Sequence, residues 1–297
     1  MNTTLQSHPN RIVCLSAETT ETLYLLGEQQ RIVGISGFTA RPAAARREKR
    51  RVPGVTSARL KCIRDLQPDL VLGFSGLQAE VVAAIANEGI AIHLFNQRTV
   101  SGILDMIRML GGMIGCDTKA ADLAARLEWR VEAIRAEASR HERRPRIYFE
   151  EWDEPQISAT GWVSELISIA GADDCFADLA EAPLATNRRV VDPHEVIRRA
   201  PDMIVGSWCG KKFRPERILA RSGWEQIPAV RDGELHEIKS SLILPPGPVA
   251  LTEGLDRLQG LVRHWRDAQR SRERSPATHR RTADVGRGAP AGLTQGA

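Results

Sequence analysis

The stretch LKCIRDLQPDLVLGFSG, residues 60–76, decides how this chain is read. It opens on an Ile-Arg pair in a short helical segment and breaks at Pro68-Asp69. It then runs through the apolar LVL and ends on Gly73, Phe74 and Ser75. Proline does not continue a helix, and a short apolar run bounded by turn residues reads as a buried strand. The same order returns in HEVIRRAPDMIVGSWCG, residues 194–210: Ile-Arg, Pro-Asp, an apolar strand, glycine and an aromatic.

The flanking segments repeat as well. RIVCLS (11–16) is a buried strand, followed by the helix ETTETLYLLG, which Gly27 stops; RIYFEEW (146–152) and WVSELISIAG (162–171) repeat that pair. RIVGIS (31–36) and AIHLF (91–95) add strands, and QAEVVAAIANEG (78–89) and SGILDMIRMLGGMIG (101–115) add helices. ELHEIKS (234–240) and a helix over about 249–267 close the second half. Strands alternating with helices predict βαβ units around mostly parallel sheets. Between the halves, DTKAADLAARLEWRVEAIRAEASRHERR (117–144) has no Gly or Pro and is rich in the best helix formers. Some 25 helical residues make a rod of roughly 37 Å. The expectation is an α/β chain of two Rossmann-like lobes joined by one long helix, with a ligand cleft between them. Its predicted parts are an extension (1–10), a first lobe (11–116), the connecting helix (117–144), a second lobe (145–266) and a disordered basic tail (267–297).

Composition agrees with a globular chain: 297 residues, 42% hydrophobic and 26% charged, with a net charge of +4. Much of that excess lies in the Arg-, Gly- and Ala-rich end, which has too little apolar surface to offset its chain entropy. Such a tail is read as solvated, with no nucleic-acid partner. Cys14, Cys62, Cys116, Cys175 and Cys209 are scattered singly, which fits free thiols in a reducing compartment. MNTTLQSHPN shows no charged and apolar leader pattern, and no apolar run is long enough for a membrane span. A cytoplasmic monomer is expected, or a periplasmic protein if the chain starts further upstream.

Ligands of open parallel sheets sit beyond the carboxyl ends of the strands. The first half offers Ser16, Glu18, Phe38, Phe74, Ser75 and Gln97 there, and the second offers Glu151, Trp152, Trp208, Cys209, Ser240 and Ser241, with Ser207, Lys211 and Leu242 as further ligand-site candidates. Trp162 opens the helix after the first strand of the second half. Rings interleaved with hydroxyls and amides suit a broad, partly flat, partly polar ligand. Lys211 and Lys212 suit a phosphate, and Arg98, Arg188 and Arg189 suit acidic groups. No catalytic motif is present: GxxxxGK[ST], HExxH and GxSxG are all missing, and the histidines lack metal-ligand spacing. Neither catalytic nor metal-binding residues are assigned, and no catalytic cofactor. The acidic run EEWDE (150–154) reads as a solvated loop paired with Lys211 or Lys212. Cys209 reads as a buried inert thiol, with a soft axial ligand to cobalt or iron as the alternative.

RIVCLSAETTETLYLLG, RIVGIS, LKCIRDLQPDLVLG and the long helix resemble the substrate-binding proteins of iron-siderophore and vitamin B12 ABC importers. YFEEWDEP, GSWCGKKFRPE and SSLILPPGP resemble their cobalamin-binding subgroup. The resemblance implies a cobalamin or other corrinoid ligand packed on aromatic rings between the lobes, and an ABC permease as partner. Phe74 falls where the B12-binding protein has a corrin-packing tryptophan, and Val55 falls where it has another. The family docks on its permease through a carboxylate on each lobe. Here the first-lobe position is Lys61, and the second-lobe region offers Asp192 or Glu195 beside His194. Haem or a ferric siderophore is the alternative ligand, and a corrinoid- or tetrapyrrole-processing enzyme using Cys209 is the alternative of another class.

Overall fold

The structure, a computed structural model, describes residues 8–54, 56–75 and 79–274. The first lobe alternates strictly: β1 (Ile12–Cys14), α1 (Ala17–Leu25), β2 (Ile32–Ser36), α2 (Ala43–Glu48), β3 (Arg50–Val52), α3 (Thr56–Leu66). It continues with β4 (Leu70–Phe74), α4 (Ala79–Asn87), β5 (Ala91–Phe95) and α5 (Val100–Met113). The long helix α6 (Asp117–Ala138) follows. The second lobe holds β6 (Arg146–Glu150), the hairpin of β7 (Trp152–Asp153) and β8 (Gln156–Ile157), α7 (Gly161–Ile169), β9 (Asp173–Asp174) and α8 (Ala177–Ala180). After these come α9 (His194–Arg199), β10 (Met203–Gly206), α10 (Pro215–Leu219), α11 (Pro228–Arg231), β11 (Leu235–Glu237) and α12 (Ser240–Ile243). A π-helical turn over Ala250–Gly254 leads into α13 (Leu255–Arg274).

Both main sheets are parallel, in the orders β3-β2-β1-β4-β5 and β11-β10-β6-β9. In each, the strand order reverses beside the lobe's first strand: between β1 and β4, and between β6 and β10. Those reversals leave crevices outside the carboxyl ends, where loops diverge instead of covering each other. The topology therefore names two places for a ligand, one per lobe, before any side chain is considered.

α1 looks too polar to bury, yet Thr19, Thr20 and Thr22 are wholly inaccessible. Their hydroxyls bond back to the helix: Thr19 and Thr20 to Ser16 O at 3.2 and 3.1 Å, Thr22 to Glu18 O at 2.7 Å. Each buried hydroxyl thus avoids the cost of an unpaired polar group. α6 ends at Ala138, about 33 Å long, short of the 144 expected; Ser139 to Arg144 form the turn into β6. One apolar cluster runs through the molecule, from Ile12, Leu23 and Leu72 through Leu123, Leu127 and Val131 of α6 to Phe149 and Val205.

Two further expectations are corrected. The acidic run is no solvated loop: Glu150 is fully buried and Asp153 nearly so, because β6 carries Glu150 inward on the same face as Tyr148. And α13 is helical as far as Arg274, past residue 267, since Trp265 and Arg266 are buried against the body. The rest of the basic tail lies outside the described residues.

Candidate functional site

On the first lobe the reversal point presents Ser16 after β1 and Phe74 and Ser75 after β4. Phe74 is half-buried, with the Arg98 guanidinium 5.0 Å over its ring. Arg98 also donates to Ser75 Oγ, to Asn96 Oδ1 at 3.1 Å, and across the lobe boundary to Pro183 O at 3.3 Å. Phe38, after β2 on the same end of the sheet, stands 85% exposed. Gln97 is buried and donates to Pro246 O at 2.7 Å, so it ties the lobes together with that amide hydrogen. Its Oε1 has no partner.

Ser16 caps α1 by position and shares a 2.9 Å hydrogen bond with Thr19 Oγ1. Glu18 is buried behind it, closed over so tightly that a Cβ on Gly247 would lie 2.5 Å from its own Cβ. Burial pushes the Glu18 carboxyl up to about 7, with a smaller push from Glu21 against the hydrogen bonds of its own amide and of Ser16. Glu21 accepts from Val249 N at 3.0 Å across the lobe boundary, and its carboxyl is raised by burial too.

The second jaw is built on charge. Glu150, at the end of β6, accepts from Trp208 Nε1 at 3.0 Å and Tyr148 Oη at 2.9 Å. Arg221 donates to its two oxygens at 2.6 and 3.0 Å. Trp208 is therefore a core residue, 2% exposed, its ring packed edge-on against Phe213 at 5.0 Å. This corrects its expected place on the ligand face: an indole N–H above a buried carboxylate gains more by pairing than by facing a cleft. Phe213 fits because residue 206 is glycine; a Cβ there would lie 2.0 Å from the ring. Trp162 is likewise buried and donates to Ile243 O at 3.0 Å, and Ser207 is inaccessible.

Trp152 stays partly accessible. It is half-buried, anchored through Nε1 to Glu154 O at 2.8 Å, with Lys211 Nζ 4.0 Å over its ring. Lys211 is held there by an ion pair with buried Asp153. Lys212 is exposed, and Ser241 and Leu242 are half-buried on α12. Cys209 is exposed, not the buried thiol expected, because the turn after Trp208 points outward. Partial desolvation and the charge of Glu151 raise its pKa, which keeps it a thiol and a poor nucleophile at neutral pH.

The lobes meet in a chain of contacts. Phe74 lies under Arg98; Arg98 and Arg188 line one cavity; Arg188 is paired with Glu151 at 2.6 Å; Trp152 follows in sequence under Lys211. That cavity, of 480 Å³, lies between the lobes beside the strand ends, within the size range of small-ligand sites. Among the described residues no group of three or more His, Cys, Asp or Glu is placed to hold a metal ion. Val55 lies outside the described residues. Lys61 is exposed on α3, and His194, Asp192 and Glu195 stand at the start of α9, where Arg198 and Arg199 pair with the carboxylates.

The Asp153–Lys211 pair is the one expected of the acidic run; what the sequence missed is the rest of the support behind the rings, Glu150 with Arg221 and Asp153 with Arg217. One signal was present. A glutamate two residues after Tyr148 in a buried strand must point inward and needs a partner.

Two parallel-sheet lobes bridged by one long helix, with rings and cations at facing strand ends, define a two-lobed ligand-binding protein. The family model described as periplasmic binding protein matches residues 12–242, and the chain belongs to that family. It is 24% identical over 265 residues to an ABC transporter substrate-binding lipoprotein of Bacillus subtilis, covering 86% of this chain and 80% of the relative. It is 25% identical over 257 residues to a vitamin B12-binding protein of Vibrio vulnificus, covering 83% and 88%. The crystal structure of a periplasmic haem-binding protein from Pseudomonas aeruginosa superposes with a TM-score of 0.73 at 18% identity, over 86% of this chain and 92% of that one.

Proposed function

We propose that this protein binds a corrinoid between its lobes without chemical conversion and presents it to the permease of an ABC importer. The observation that carries the reading is the set of accessible rings at strand ends of both lobes: Phe38, Phe74 and Trp152, two of them with a cation over the face. A flat apolar macrocycle gains most from such surfaces. The rim has polar groups for an amide fringe, among them the half-buried Ser75 and Ser241, while Ser16 is buried. The relatives' names support the ligand class and favour a place on the periplasmic side of the membrane over a cytoplasmic one.

Haem is the second reading. It is favoured by Arg98 and Arg188, which line one cavity between the lobes and suit carboxylates. Spectrophotometric titration with cyanocobalamin and with haemin separates the two. Cyanocobalamin is expected to bind at micromolar concentration or tighter, about −8 kcal/mol. Trp152→Ala is expected to weaken it by roughly tenfold or more. Tight haemin binding with no response to cyanocobalamin would replace the corrinoid with haem.

A further inference from the structure

The 480 Å³ cavity has a polarity of its own. It runs along α7 from Thr160 and Gly161 to Ser168, a length of about 10 Å. At its near end stand the first turn of α7, Arg98 from the first lobe and Arg188 from the second. One turn along α7 the carboxylate of Glu165 lines the same cavity and is already engaged, accepting from Val100 N at 2.9 Å at the start of α5. Glu181 is exposed at the rim. The cavity's two guanidiniums thus gather at its near end, that of Arg188 paired with Glu151.

Several features there await a partner. The nine-residue α7 has no side-chain cap at Thr160, and the first-turn amides of a helix lack intrahelical acceptors. Thr160 is 7% exposed, and its Oγ1 has no hydrogen-bond partner. Arg188, 4% exposed, reaches Glu151 Oε2 and Ser158 O, both at 2.6 Å and both through Nη1. Its other nitrogens take no part in those bonds. Arg98 feels the second guanidinium: burial and the charge of Arg188 both lower its pKa. Finally, residue 161 is glycine where a Cβ would lie 2.6 Å from Arg98 O. The missing side chain lets the first lobe reach the helix end.

We infer that the near end of this cavity is an anion subsite, formed by Arg98, Arg188, Thr160 Oγ1 and the N-terminus of α7. It takes a carboxylate or phosphate carried on the fringe of the cleft ligand. The inference rests on the proposed reading that the ligand lies between the lobes. An anion there would satisfy the orphan hydroxyl and the helix end together and relieve the repulsion between two guanidiniums.

The test uses the full chain in low-salt buffer, titrated calorimetrically with inorganic phosphate and, separately, with acetate. Millimolar binding of one of them is expected, and the preferred anion identifies the group. Arg98→Gln should weaken it at least tenfold. Thr160→Val should weaken it several-fold, and Thr160→Ser should restore it; this pair keeps the test open if the arginine variant does not fold. Wild-type protein that binds neither anion, or variants that bind as wild type does, overturns the subsite. The same preparations are titrated with cyanocobalamin and haemin. Ring ligand bound without either anion leaves the cleft reading standing and removes the subsite. Anion bound without any ring ligand does the reverse.

Discussion

The ends of β4 and β10 occupy the same place in their lobes and carry the same residue types, Gly-Phe-Ser in one and Gly-Ser-Trp in the other, yet they serve different purposes. Phe74 remains half-exposed under Arg98, whereas Trp208 is driven into the core. The difference lies one strand away. Glu150 pairs with Gly206 across β6 and β10, and its carboxylate collects Trp208, Tyr148 and Arg221. In the first lobe Leu15 follows Cys14, the partner of Leu72, and offers no acceptor to a ring. One jaw leaves its strand-end aromatic half in water; the other is braced by a buried ion pair and, of its described strand-end tryptophans, leaves Trp152 partly exposed. Equivalent topology does not assign equivalent chemistry, since the partner that decides a loop residue's fate sits far off in the sequence.

The largest way to break this comparison is to remove the carboxylate. Glu150→Ala leaves Arg221 buried without its partner, along with an indole N–H and a phenol. Denaturant unfolding should show a loss of about 3–5 kcal/mol, while Phe74→Ala should cost under about 2 kcal/mol because that ring is half in water. Equal losses would mean that the second jaw is not braced.

A smaller effect lies in pH. Glu18 of the first jaw titrates near 7 in the fold and near its ordinary value when unfolded. Between those values the native state holds more protons than the unfolded state, so stability falls as pH rises from about 4.5 to about 7. The fall is at most about 3 kcal/mol. Glu18→Gln should reduce that slope in melts across pH 4–8, leaving the part from Glu21, Glu165 and Asp174, which burial shifts the same way. A slope that the variant keeps in full would remove Glu18 as its source.

The smallest effect on stability belongs to Phe38. With its ring 85% exposed, Phe38→Ala should change stability by no more than about 0.5 kcal/mol and yet weaken binding of a ring ligand several-fold. A large loss of stability with unchanged binding would make it part of the scaffold instead.

The frame was legible because it depends on local signals. The apolar runs of β1 and β6, and those of β4 and β10 opened by Pro-Asp and closed by glycine, announce themselves, as does the Gly- and Pro-free α6. What stayed hidden depends on distance. β3 is an edge strand of sequence RRV with two exposed arginines, so no apolar pattern marks it. β7 and β8 contribute two residues each, too few for any periodicity. The candidate rings Phe38, Phe74 and Trp152 follow directly from strand ends. The burial of Trp208 follows from Glu150 and Arg221, which no spacing connects. Thr160 and Gly161 gain meaning only when Arg98 is brought against α7 from the other lobe.

The apolar cluster that threads both sheets through α6 has a consequence for how the protein comes apart. Leu123, Leu127 and Val131 belong to a cluster that holds residues of both lobes, so part of each lobe's core is shared. Cutting the chain at the helix would leave two halves, each showing oil to water, instead of two small proteins. Two lobes by shape that share part of a core are expected to unfold together, as one transition under heat or denaturant.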